Sequence, residues 1–391
     1  MTVALVRYQE SSRSIKKAVE LCNGFAGLRP DYKVIIKPNL VAGRRRGSPS
    51  PGTVTSAAVV DEIVEALQEF GCGKIAIGEG SPMLPEMGFD TPLAFRSAGM
   101  AEIASRRGIE LIDFNEGPHE PVDFAGIGVR ISQHALHADF LINVPVMKTH
   151  VQTKVSLGFK NLKGCLDHNS KRKCHDNLEL EEAISMLATR VTTHLTVIDG
   201  IYGLQYGPMG LDNHRLNTLV VGKDPLSVDT VGAAVLGIDP TSVIHLQEYA
   251  RRNGRTVDLE AVDIRGEKLV DMVHPLEWYH EWPQELFRAQ GVEGLRVDLP
   301  GNSNCSGCSM QVFMALDRFA KDNAGVVFDQ VEVLIGKETV AKIDSKQVFL
   351  AGKCPMFTHR HFKDAIRVKG CPPSYEDLYR ALKEHARKGE A

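Results

Sequence analysis

KVIIKPNL (Lys33 to Leu40), AVVDEIVEALQEF (Ala58 to Phe70) and KIAIGEGSP (Lys74 to Pro82) decide the fold. The first and third open with short apolar runs of strand type. The second places apolar residues at helical spacing and stops at Gly71-Cys72-Gly73. This alternation is the mark of a largely parallel α/β sheet with flanking helices. It extends in both directions from there. MTVALVR reads as an N-terminal strand. Downstream come a helix over 92–107, strands at 109–113 and 139–144, a helix over 178–191, strands at 194–198 and 216–221, and a helix over 225–236. Residues 272–304 differ, with both tryptophans, three prolines and a final GNSN turn. The composition therefore predicts a boundary near 295, giving an α/β domain over 1–294 and a small α/β domain over 295–391.

Composition bounds the function classes. The 391 residues carry 46 basic and 49 acidic side chains, a net charge of -3, which argues against a nucleic-acid partner. With 43% apolar and 24% charged residues the chain reads as globular. No apolar run reaches the roughly 18–20 residues of a membrane span, and the N-terminus has no signal-peptide pattern. These features predict a cytoplasmic protein without a membrane partner. In a reducing compartment the eight cysteines are buried hydrophobes, reactive groups or metal ligands before they are disulfides.

Several strands end in polar, glycine-bearing loops: Lys37-Pro38-Asn39, Gly78 to Ser81, Asn143 to His150, and Asp199-Gly200. Ligands of open α/β sheets bind beyond the carboxyl ends of the strands, so these loops are the candidate walls of a site. The segment 146–175 holds seven Lys or Arg, three His and one acid, Asp167. Lys148, His150, Lys160 and Lys163 are flanked by apolar residues and are candidates to hold a carboxylate or phosphate, with Asn161 as neutral donor and Gly164 allowing close backbone approach. Lys171, Arg172 and Lys173 read as a solvated charge run. Glu79 and Asp199 are candidate proton donors or acceptors, with loop capping as the alternative. Cys165 and Cys174, with His168 and His175, leave open a second metal site or plain thiols.

Four C-terminal cysteines carry the metal expectation. Cys305 and Cys308 lie in NCSGCS, Cys354 in AGKCPMF and Cys371 in VKGCPPSYEDL. The two-residue gap lets two thiolates face one centre, and a proline follows each of the other two, as recurs in iron–sulfur ligation. The pattern predicts one [4Fe-4S] cluster, with structural zinc as the alternative.

KPNL, IAIGEGSP, INVPVMKTH (Ile142 to His150), GFKNLKG (Gly158 to Gly164), DGIYGLQYGPMG (Asp199 to Gly210) and GKDPLSVD (Gly222 to Asp229) resemble, in order, the motifs of the family known as domain of unknown function 362. That resemblance spans roughly residues 30–250 and implies an iron–sulfur protein, although the usual tail of eight cysteines is reduced here to four. GCPPSYEDL is also similar to a cluster-binding stretch of quinone-reductase and hydrogenase small subunits, which implies Cys371 as a ligand. There is no Gly-rich dinucleotide loop after a strand, no Walker loop and no G-x-S-x-G.

The resulting expectation is an oxygen-sensitive iron–sulfur oxidoreductase acting on a small anionic substrate. Lys148, His150, Lys163 and Glu79 are its expected catalytic groups. Lys37, Asn39, Lys160, Asn161 and Asp199 are the expected substrate-binding groups, and an electron-donor protein and a homo-oligomer are compatible with it. Two alternatives stay open: a non-redox lyase, dehydratase or isomerase using an open cluster iron, and a non-catalytic electron carrier or binding factor.

Overall fold

Runs of β-branched residues become strands of a large mixed sheet in the computed structural model, which describes all residues except 11–12, 42, 44–46, 84–88, 177–178, 209–211, 279–281, 299–304, 338 and 390–391. The strands are β1 (Thr2–Arg7), β2 (Lys33–Pro38), β3 (Lys74–Glu79), β4 (Glu110–Asp113), β5 (His119–Phe124), β6 (Ile127–Ser132), β7 (Phe140–Val144), β8 (Val146–His150), β9 (Lys154–Ser156), β10 (Leu195–Gly207), β11 (Asn213–Gly222) and β12 (Asp263–Gly266). The sheet runs β12-β1-β11-β10-β7-β2-β3-β4, with β8 beside β10 and β9 beside β8; β5 and β6 form a separate hairpin. From β10 through β7, β2 and β3 to β4 the pairing is parallel.

The expectation of a largely parallel sheet is corrected to a mixed one. β11 pairs antiparallel with both β10 and β1. The reason is length: β10 and β11 extend toward each other past the apolar runs at 194–198 and 216–221, so the connection left is too short for a crossover and closes as a hairpin. The helix expected over 92–107 is two, Thr91–Ser97 and Met100–Arg107, because Gly99 adopts φ 78. Helix Ala57–Phe70 buries Val59, Val60, Ile63, Val64 and Leu67, and ends at Gly71 with φ 100.

Strand alternation divides the apolar residues between two cores. Val3, Leu5 and Ile35 pack in one, while Ala4, Val6, Val34 and Ile36 pack in the other. Both faces of the sheet are therefore covered. Among the described residues no helix is long and apolar enough to cross a membrane.

Contacts divide the chain into Met1–Trp278 and Tyr279–Ala391, ahead of the boundary near 295 that composition suggests. Helix Trp282–Ala289 packs with the strands that follow it, so it belongs to the second unit. That unit is a parallel sheet of β13 (Glu293–Asp298), β14 (Val327–Leu334), β15 (Gln347–Ala351) and β16 (Ile366–Val368), in that order. Val312, Leu316, Phe319, Val331, Phe349 and Leu378 fill its core. The GNSN turn at 301–304 lies outside the described residues.

Candidate functional site

Parallel register brings the polar strand ends of the first unit together. Lys37 at the end of β2 stands opposite Asn143 on β7, and β3, ending at Glu79, pairs on the other side of β2. Lys37 is 0% and Glu79 3% exposed, and their side chains form an ion pair with Nζ 2.9 Å from Oε2. The Glu79 carboxylate also accepts the backbone N–H of Leu40 (3.3 Å) and Gly80 (2.8 Å). Such a buried pair persists because both charges keep hydrogen-bond partners.

Asn161, on the short helix Gly158–Asn161, ties these strand ends together. Its Oδ1 accepts from Asn39 Nδ2 (3.1 Å) and Lys37 Nζ (3.4 Å), and its Nδ2 donates to Asn143 Oδ1 (2.8 Å). Asp229 holds the start of that helix, accepting the N–H groups of Gly158 (2.8 Å) and Phe159 (2.9 Å). Burial raises the Asp229 carboxyl to about 6, against those two hydrogen bonds and nearby His245.

Lys148, 1% exposed on β8, donates to Asn39 Oδ1 (2.7 Å), Thr53 O (2.6 Å) and Pro208 O (3.2 Å). Burial lowers its ammonium to about 7, opposed by the charge of Asp199. Asp199 accepts the N–H groups of Ser56 (2.7 Å) and Ile201 (3.1 Å), and burial raises its own carboxyl. Lys160 titrates well below its ordinary value through burial and the like charges of Lys163 and Lys148. The segment thus concentrates depressed lysines around strand ends that hold two buried carboxylates.

The structure brings Lys37, Asn39, Glu79, Lys148 and Asn161 into one hydrogen-bonded network. Lys160 and Lys163 join it through charge, and Asp199 flanks Lys148. His150 has a local role: its Nδ1 accepts the N–H of Gln152 (3.1 Å) and Thr153 (3.2 Å), which fixes the turn after β8.

Lys171 is a residue that sequence reading misses. It donates to Asn115 Oδ1 (2.8 Å), and burial lowers it to about 8, opposed by Glu79. Its sequence signal is only helical phase, which points it inward while Arg172 and Lys173 stay exposed. Gly164 does allow a close approach, but to the ion pair: a Cβ there would lie 1.9 Å from Glu79 Oε1 and 2.5 Å from Lys37 Nζ. The loop residues at 42, 44–46, 84–88 and 209–211, including Met209 and Gly210 of the DGIYGLQYGPMG motif, lie outside the described residues.

The iron–sulfur expectation is corrected. Cys305 caps helix Ser306–Asp322, Cys308 lies inside it, Cys354 begins helix Lys353–Thr358, and Cys371 follows β16. None of the four is in a disulfide, and they range from the buried Cys308 to the exposed Cys371. A hydrogen bond with Cys305, then burial and the fields of Cys305, Cys371 and Cys354, push the Cys308 thiol far up. Among the described residues no group of three or more His, Cys, Asp or Glu is placed to hold a metal ion. Neither a [4Fe-4S] cluster nor zinc fits this donor arrangement. The oxidoreductase and oxygen-sensitivity expectations, which stood on those cysteines, fall with it, as does the family implication of an iron–sulfur protein. Cys165 and Cys174 belong to an apolar core, burial pushing Cys165 to about 12; the His175 side chain lies outside the described residues.

A family model described as "Domain of unknown function (DUF362)" matches residues 34–234, which include the whole buried network. The thylakoid-associated protein sll1697 of Synechocystis sp. is 27% identical over 237 residues, covering 59% of this chain and 71% of that one. Among solved structures, the lactate racemase apoprotein from Thermoanaerobacterium thermosaccharolyticum aligns over 97% of this chain and 79% of its own, at 10% identity and a TM-score of 0.44.

Proposed function

The chain belongs to the family described as Domain of unknown function (DUF362), and from the site that its matched residues build we propose an enzyme that moves a proton on a small anionic molecule without net redox change. Its reaction class is an isomerase. The observation that carries this reading is Lys148: a fully buried amine, lowered to about 7, beside a buried carboxyl that is raised. An amine near neutrality exists in both protonation states, which is what a general acid–base group requires.

Each of the other residues has a part. Lys163 supplies positive potential for a substrate carboxylate, and Lys160, whose charged form burial disfavours, gains a counter-charge when that carboxylate binds. Lys37 and Glu79 hold β2 and β3 in fixed relation, and Asn39 and Asn161 connect that pair to Lys148. Lys148 takes a proton from the carbon next to the substrate carboxylate and returns it to the same or a neighbouring atom, with Asp199 as the second proton store. No oxidant or reductant is consumed.

The test uses the full chain in heavy water with a mixture of small carboxylates and hydroxycarboxylates. Proton NMR follows loss of the C–H signal next to the carboxylate. Deuterium incorporation with an inflection near pH 7, abolished in Lys148→Gln, supports the reading. Binding of no carboxylate by native mass spectrometry, or exchange that survives Lys148→Gln, would falsify it.

A further inference from the structure

We propose that the cleft between β6 and helix His168–Asp176 is a second ligand site, one that binds a phosphate-type dianion and is separate from the buried lysine network. The cleft has a volume of about 410 Å³ and is lined by Arg130, Asp167, Asn169, Ser170, Arg172 and Lys173. That volume falls within the roughly 300–1,000 Å³ usual for small-molecule sites.

Charge sets the ligand class. Three cations line the cleft against one carboxylate, and among the described residues none of the three is fully neutralised. Arg130 stands 3.7 Å from Asp167 Oδ2 and 3.3 Å from His119 Nδ1. Lys173 donates to one neutral acceptor, Gly128 O, at 2.6 Å. Arg172 is exposed, and among the described residues no hydrogen bond or ion pair engages it. Asp167 is itself committed, its Oδ1 accepting the Ser170 N–H at 2.7 Å. The excess of two positive charges matches a phosphate group, which carries about -1.5 to -2 at neutral pH. Guanidinium forks also suit phosphate oxygens in a bidentate arrangement.

The cleft is held in shape from both sides. On the β6 side, Arg130 N donates to Ser170 Oγ at 2.8 Å, and Arg130 O accepts the Asp167 N–H at 3.0 Å. From the interior, Lys171 anchors the helix through Asn115. The three consecutive cations Lys171, Arg172 and Lys173 therefore divide by helical phase: the first faces Glu79, the other two face the cleft.

Calorimetric titration of the full chain in a phosphate-free buffer of low ionic strength tests this, with inorganic phosphate, glycerol phosphate and acetate as probes. One equivalent of phosphate or glycerol phosphate is expected to bind saturably, with acetate at least tenfold weaker. Tighter binding of glycerol phosphate assigns the site to a phosphorylated small molecule; equal binding assigns it to the free anion. Arg172→Ala with Lys173→Ala should weaken phosphate at least tenfold with the melting temperature unchanged, since both side chains are exposed. Lys148→Gln should leave phosphate affinity as it is. No saturable phosphate binding, affinity unchanged in the double variant, or affinity lost in Lys148→Gln overturns the proposal.

Discussion

The two units each place chemically active residue types beyond the carboxyl ends of parallel strands, and they treat them differently. In the first, Lys37, Glu79, Asn39, Asn161 and Lys148 are buried and joined by hydrogen bonds of 2.7–3.4 Å. In the second, Cys305, Cys308, Cys354 and Cys371 are spread from buried to exposed. The difference is complementarity. A cation, a carboxylate and two amides satisfy one another, so burying them together costs little beyond desolvation. Four thiols are weak hydrogen-bonding groups of like character, and their mutual fields raise the Cys308 thiol instead of stabilising a charge there.

The largest way to break this contrast is to unpair the buried charges. Lys37→Met leaves the Glu79 carboxylate without its cation and is expected to cost about 3–5 kcal/mol in urea unfolding. Adding Glu79→Gln should restore much of that loss. A single-variant cost near zero would mean the pair is solvated and the contrast false.

Gly164→Ala tests the same pair from the backbone side. A methyl group 1.9 Å from Glu79 Oε1 must displace either the carboxylate or the loop. The expected cost is about 3 kcal/mol, at the upper end for overpacking, with Gly73→Ala, which meets nothing within 4 Å, as the neutral control.

Proton linkage sharpens it further. Burial raises Asp229 from 3.8 to about 6, so the folded chain takes up a proton between those values. Stability contributed by this group is present below about pH 4 and is lost as pH rises through 6, by on the order of 3 kcal/mol. Lys148, lowered from 10.5 to about 7, acts at higher pH: the unfolded chain holds the extra proton, so stability rises from pH 7 toward 10.5. Asp229→Asn should flatten the acid limb and Lys148→Met the alkaline one, both read from unfolding midpoints against pH.

The smallest effect is expected in the second unit. Cys371→Ser should change stability by no more than about 0.5 kcal/mol, as at an exposed position. Mass spectrometry of the native chain treated with iodoacetamide should find Cys371 modified first and Cys308 last, following exposure and the raised Cys308 thiol. Equal rates would remove the depth difference on which the comparison rests.

Much of the first unit is legible in the sequence. KVIIK, KIAIG and the helix between them announce themselves by periodicity, Lys37, Glu79 and Lys148 stand out as polar residues near strand ends, and Asn161 stands out within the basic segment. Lys171 does not, because three consecutive cations look alike until helix phase turns one inward. For His150, an imidazole at a strand end, the structure adds a local part that spacing does not show: its Nδ1 braces a turn. The β5–β6 hairpin is missed because its strands are only six residues each and β5 includes Pro121, which argues against a strand.

The sequence by itself determined the alternation of strands and helices, the family, and the residue types at the strand ends, since these depend on local periodicity and order along the chain. Tertiary structure alone decided which of them meet. The antiparallel return of β11, the Lys37–Glu79 pair joining residues 42 positions apart, and the differing exposure of the four cysteines are long-range outcomes. They are set by packing and by the need of every buried charge for a partner, and neither is written in the spacing of residues.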